Sequence, residues 1–145
     1  MKITIETDKN IKETEIHIKC SQVDSELKEI ISSFSLYDCK FVGYLDNEAH
    51  FIALNDILYF EVVDGGLFFY TNGKTYESVL KLYKIEEATQ NTSFARISKT
   101  VVANLRKMTS IKKAEHSRLI ATMTSGEKLV VSRQYVSEIK RKLGV

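Results

Sequence analysis

At 145 residues, with 43% hydrophobic and 10% aromatic side chains, the chain is long enough to bury the core of one domain and too apolar to stay disordered. No apolar run approaches the roughly 20 residues that span a bilayer, and the opening Met1-Lys2-Ile3-Thr4-Ile5-Glu6 does not read as a signal peptide, so a cytoplasmic protein is expected. The net charge of +2 conceals a division: residues 1–91 carry 9 Lys and no Arg against 16 acidic residues, and residues 92–145 carry 12 Lys and Arg against 3 Glu.

Taken in order, Ile3 and Ile5 alternate with polar neighbours, as do Ile16, Ile18 and Cys20, which predicts two half-buried strands joined by a turn around Asp8, Lys9 and Asn10. Ser21 can cap a following helix with Asp24 at its third position, and Val23, Leu27, Ile30, Ile31 and Phe34 give that helix one apolar face. Asp24 and Lys28 make a solvated pair on the other face. Cys20 and Cys39 follow no metal spacing and sit in apolar company, so packed, reduced thiols are expected.

From Lys40 the pattern changes to short strands at close intervals. Runs at 41–45 and 51–54 flank Asp46-Asn47, runs at 57–62 and 67–71 flank Asp64-Gly65-Gly66, and 75–79 follows Asn72-Gly73. Asp-Gly and Asn-Gly supply the positive φ angles of tight hairpins, so these strands are predicted to be antiparallel. Leu80, Leu82, Tyr83 and Ile85 among Lys and Glu predict a short helix, and Asn91-Thr92-Ser93 a polar loop.

The basic part begins with residues 94–105, where Phe94, Ile97, Val101, Val102 and Leu105 interleave with Arg96, Ser98, Lys99, Thr100 and Asn104. That mixture reads as a rigid loop held from beneath and offering donors outward. Strands at 108–111, 119–123 and 129–131 follow. Ser132 then caps a terminal helix with Val131 stapled against Val136, a buried stripe of Val136, Ile139 and Leu143, and Gly144 as its stop. Arg133 sits at the first helical position, where the helix dipole is already positive. It either faces solvent or awaits a phosphate or base edge. Every Arg lies in this part, and Arg suits bidentate contact with phosphate and guanine, so the division of charge points to nucleic acid or an anionic surface.

Three blocks, in order and at fitting distances, carry a resemblance: Ile57-Leu58-Tyr59-Phe60-Glu61, then residues 94–105, then Gly126-Glu127-Lys128-Leu129-Val130-Val131-Ser132-Arg133-Gln134-Tyr135. Together they resemble the LytTR family of bacterial DNA-binding domains. The resemblance implies a mainly β, α+β fold of short antiparallel strands with small helices over residues 44–145, preceded by a β-β-α extension at 1–43. It also implies a transcriptional regulator that reads major-groove bases of double-stranded DNA through loops, at direct repeats. Carried over, base contacts fall to Lys99 and Thr100, to Arg133, and to the Asp64-Gly65 turn, where relatives can place a His. Here that contact is lost, or the backbone of Gly65 and Gly66 approaches the DNA. Arg96, Ser98, Lys107, Lys112 and Lys113 are assigned to phosphate positioning, with Asn104, which could instead bond the backbone of its own loop. Tyr135 is expected under the terminal helix.

Some 43 residues are too few for the receiver domain that often precedes this domain. The chain therefore resembles stand-alone members, often paired with an integral membrane protein that restrains them. The extension is a candidate for homodimerisation or for contact with such a restrainer. The competing reading is a β-rich interaction module docking its basic face on acidic protein or lipid headgroups. No Gly-rich phosphate loop, nucleophile elbow or metal spacing is found, and His17, His50 and His116 are scattered, so no enzyme activity, cofactor, metal or small-molecule substrate is expected.

Overall fold

Hairpin turns set the architecture. Asp46 and Asn47 take left-handed φ values of 52° and 64°, and Asp64 and Gly65 take 49° and 79°, so each pair makes the connection that matches strand twist. They join β1 (Lys40–Leu45) to β2 (Glu48–Ala53), and β3 (Tyr59–Val63) to β4 (Gly66–Tyr70). Next come β5 (Thr75–Ser78), α1 (Leu82–Ala88), β6 (Phe94–Arg96) and β7 (Val101–Asn104). The chain closes with β8 (Met108–Lys113), β9 (Leu119–Met123), β10 (Lys128–Val131) and α2 (Val136–Leu143). The structure, a computed structural model, describes residues 1–28, 30 and 40–145.

All described pairings are antiparallel. They give a seven-stranded sheet in the order β2-β1-β5-β4-β3-β7-β6 and a three-stranded sheet in the order β10-β9-β8. Successive side chains of a strand point to opposite faces, and at β3 and β7 both faces are covered. Tyr59, Val101 and Ala103 enter one core with Leu119, Ala121, Met123, Leu129 and Val131 of the smaller sheet and Ile139 of α2. Phe60 and Val102 enter the other, with Phe41, Phe69, Tyr76 and, from α1, Leu82 and Ile85. This is the mainly β fold with small helices. Fully burying a side chain such as Phe60 stabilises it by about 1.5–3 kcal/mol. Gly43 lets β1 approach closely, because a Cβ there would lie 2.5 Å from Phe69 Cζ and 2.6 Å from Tyr76 Cβ.

Several expectations are corrected. Residues 94–105 are a strand hairpin, β6 paired with β7, and only 97–100 loop out. Their polar residues had suggested a continuous loop, but β3 supplies β7 with a second neighbour. The strands expected at Ile3–Ile5 and Ile16–Cys20 are not formed, and these isoleucines are exposed, because among the described residues no other strand pairs with them. Cys20 is exposed, not packed. The helical turn that begins at Ser25 is capped by Asp24, whose Oδ1 accepts from Leu27 N at 2.8 Å, so Ser21 is not its cap. Ile31, Phe34 and Cys39 lie outside the described residues. Among the described residues the sheet begins at Lys40, and β1 spans the boundary expected at 43/44.

Candidate nucleic-acid interface

Three connections meet at one end of the seven-stranded sheet. Glu61 of β3 pairs with Val101 of β7, so the β3–β4 turn at Asp64-Gly65 and the β6–β7 loop at 97–100 leave the sheet at the same end. Val62 N donates to Thr100 O at 2.9 Å, and Ser132 N donates to Ile97 O at 2.8 Å. The second bond ties the segment after β10 to the loop and brings Arg133 beside Lys99.

The loop is bonded from the inside. Ile97 O accepts from Ser132 and Thr100 O from Val62, while Ser98 O accepts from Arg96 Nε at 2.8 Å and Lys99 O from Arg96 Nη2. Four consecutive carbonyls are therefore turned inward and satisfied. Thr100 N donates to Ser98 Oγ at 3.2 Å, which closes the turn. With its backbone carbonyls bonded, the loop presents the Lys99 ammonium and the Thr100 hydroxyl to solvent, both on exposed residues. Ser98, Lys99, Thr100, Ser132, Arg133 and Gln134 line an open depression of about 400 Å³. Among the described residues, Lys99 and Arg133 have no carboxylate within ion-pair distance. A polyanion entering here would meet donors and cations with little competing negative charge.

Two residues expected at phosphates are used elsewhere. Arg96 is the brace of the loop, and its Nη1 also bonds Glu86 of α1 at 2.7 Å, so all three guanidinium nitrogens are engaged within the fold. Asn104 is 1% exposed. Its Nδ2 donates to Ile57 O at 3.1 Å, and its Oδ1 accepts from Ser93 Oγ at 2.7 Å and Arg106 N at 3.2 Å. Asn104 thus clamps three segments and offers nothing outward.

The other assigned cations divide by position. Lys113 pairs with Leu119, which pairs with Val131, so this end of β8 lies toward Arg133. Lys112 precedes it on the strand and points to the opposite face. Lys107, whose carbonyl accepts from Thr124 N at 2.7 Å, lies at the far end of β8, where Met108 pairs with Met123. Asp64 and Gly65 share the end of the sheet but do not line the depression. Ser132 and Gln134 do line it, and sequence reading had singled out neither as a contact. The β8–β9 tip joins the same end through His116 and Ser117, which hold φ values of 58° and 60° that no residue type there announces.

The helix that follows is set by this arrangement. Arg133 opens a 3₁₀ turn (Arg133–Tyr135) that runs into α2, with Ser132 in extended conformation ahead of it but making no side-chain cap bond. Gly144, at φ 76°, closes α2 as expected, and Tyr135, Val136 and Leu143 pack on the core that holds Ile139.

Among the described residues no helix is long and apolar enough to cross a membrane, and no group of three or more His, Cys, Asp or Glu could hold a metal. Residues 47–144 match the family described as LytTr DNA-binding domain. An uncharacterized HTH-type transcriptional regulator of Staphylococcus aureus strain NCTC 8325 is 24% identical over 147 residues, covering 100% of this chain and 99% of that protein. One from strain MSSA476 is 26% identical over 140 residues, covering 94% and 95%. The solved LytTr DNA-binding domain of a Bacillus cereus protein superposes with a TM-score of 0.69 at 21% identity, over 73% of this chain and 97% of that one, a likeness of fold. The helix-turn-helix of the relatives' names has no counterpart among the described residues 40–145, where α1 and α2 are separated by five strands.

Proposed function

Because the chain belongs to the LytTr DNA-binding domain family, we propose that it is a transcriptional regulator that reads major-groove bases of double-stranded DNA from the 97–100 loop and the turn at Arg133. Arg133 is the principal reader, since its guanidinium can bond O6 and N7 of guanine together. Gln134 beside it has the amide that pairs with N6 and N7 of adenine, and Lys99 and Thr100 add donors for an adjoining base or phosphate. Lys113 neutralises phosphate at the flank. The observation that carries this reading is the loop whose four carbonyls are bonded inward, because it turns the backbone acceptors away from the surface that carries its cations and hydroxyls. Two copies on half-sites about one helical turn apart would sit on the same face of the duplex, which suits direct repeats.

The test is fluorescence anisotropy of labelled DNA from the gene's own promoter against scrambled DNA, at two salt concentrations, for wild type and Arg133→Lys. Wild type should prefer the promoter by about a hundredfold or more, and the variant should lose most of that preference while keeping its salt slope. If Arg133→Lys binds and discriminates like wild type, Arg133 supplies only charge and base reading there is wrong. If wild type does not discriminate and binds anionic vesicles equally well, the basic face is a docking surface instead.

A further inference from the structure

The arm ahead of the domain has the sequence of a strand, and among the described residues it has no partner. Ile3, Ile5, Ile16 and Ile18 are 80%, 83%, 59% and 44% exposed, and none of residues 1–24 belongs to a helix or strand. The hydrogen bonds of residues 1–23 among the described residues are local: Ile11 N to Asp8 O at 3.2 Å, Asn10 N to Asp8 Oδ1 at 2.9 Å, and His17 with Glu15 at 2.9 Å. The last contact carries information. In an extended run Glu15 and His17 share one side and Ile16 and Ile18 the other, and the Glu15–His17 contact fits that arrangement. A run extended in this way keeps a row of unmet backbone donors and acceptors and an apolar face until another strand arrives.

The choice of partner follows from charge. Antiparallel pairing of residues 13–21 with themselves, centred on His17, sets Ile16 against the second copy's Ile18, Thr14 against its Cys20, and Glu15 against its Lys19. Each contact occurs twice, as a two-fold interface requires, and opposite charges face one another across the strands. The domain's own edge strands fit less well, because β2 offers Glu48 and no Lys or Arg to Glu13 and Glu15, and β6, β8 and β10 offer no acidic residue to Lys19. A lipid surface fits less well too, since residues 1–28 carry 5 Lys against 6 acidic residues. We propose that residues 13–21 pair antiparallel with the same segment of a second copy, so that the protein is a dimer joined by its arms, with the Lys99 and Arg133 surfaces left free. The proposal stands apart from the DNA reading.

The test is sedimentation equilibrium of the full chain at low salt for wild type, Glu15→Lys, Lys19→Glu and the double variant carrying both. Both substitutions lie on exposed residues outside the folded domain, so folding is not at risk. Wild type should dimerise, each single reversal should weaken the dimer by about tenfold by setting like charges opposite one another, and the double variant should return it to within about threefold of wild type. A wild type that is monomeric at every concentration overturns the proposal. So does a dimer indifferent to the reversals, or a double variant no better than the singles, since an acidic or basic partner of another kind would not restore pairing when both signs are exchanged. Arms that become protected only when an anionic vesicle or a membrane protein is added overturn it as well.

Discussion

Residues 14–20 and strand β7 are both short runs rich in β-branched side chains, yet β7 is buried at every position between β3 and β6, while the run at Ile16 is exposed along its length. The difference does not lie in pattern, since the arm alternates more cleanly than β7 does. It lies in neighbours. β7 has a strand on each side and a core on each face; the arm has neither within the described residues. Alternation gives permission for a strand, and a partner makes one.

The sharpest way to break that comparison is to remove one apolar side chain from each region. Phe60, which β3 buries beside β7, is fully inaccessible and packs its ring against Phe41, Phe69 and Phe94. Phe60→Ala should cost about 3–5 kcal/mol in urea denaturation. Ile16→Ala, measured at a concentration low enough to keep the chain monomeric, should stay within about 0.5 kcal/mol of wild type. A large loss at Ile16 would mean that the arm packs on its own domain.

Polar residues of the same hairpin separate in the same manner. Asn104→Ala would leave Ile57 O, Arg106 N and Ser93 Oγ without the partner they share, and should cost about 2–3 kcal/mol. Lys99→Ala, five positions earlier and exposed, should leave the denaturation midpoint within about 0.5 kcal/mol and lower affinity for DNA. Equal stability losses would contradict the division of labour between the two.

This also explains what could be read from the chain. Tight turns depend on the residues that form them, so Asp46-Asn47, Asp64-Gly65 and the Gly144 stop were legible, and with them most of the strands. Lys99, Thr100 and Arg133 were singled out through the family resemblance, and the fold brings them together around one depression; their contact with DNA is a proposal. The employment of Arg96 was not legible, and that of Asn104 only in part, since a bond to the backbone of its own loop was expected and is made with Arg106 N. Each answers to groups brought near by folding, Glu86 and two loop carbonyls for one, Ile57 and Ser93 for the other. The arm's strands failed for the converse reason: a period of two was present, and among the described residues no strand supplies the ladder it needs.

A smaller effect should sharpen the reading of Arg96. As the brace of the 97–100 loop it acts on DNA only by holding Lys99 and Thr100 in place. Arg96→Ala should therefore weaken promoter binding by about tenfold with no change in the dependence of log K on log salt, since no phosphate contact is lost. A slope shallower by about one would return Arg96 to the phosphate contacts. Arg96→Lys should resemble the alanine variant, because an ammonium cannot reach two carbonyls and Glu86 from one planar fork.

The smallest effect is alkaline. Tyr59 and Tyr70 stack with ring centroids 4.4 Å apart; the Tyr59 hydroxyl donates to Glu127 and the Tyr70 hydroxyl to Glu61 at 3.4 Å. Burial, then the hydrogen bond to Glu127 and its charge, hold the Tyr59 phenol well above its ordinary range, and burial followed by the charge of Glu61 raises Tyr70. A phenol raised in this way stays neutral in the fold when the unfolded chain begins to ionise. Its contribution is complete below about pH 10 and is lost as pH climbs toward the folded value, at up to about 1.4 kcal/mol per pH unit for each proton held. The urea midpoint should thus be level from about pH 7 to pH 9 and fall above about pH 10, and Tyr59→Phe should make the fall shallower. Residues 1–28 contain no Tyr, so a chain lacking the arm should lose stability along the same slope as the full chain. A different slope would mean that the arm lies against the Tyr59–Tyr70 pair, and the contrast between an arm that has no partner among the described residues and a strand paired on both sides would fail at that contact.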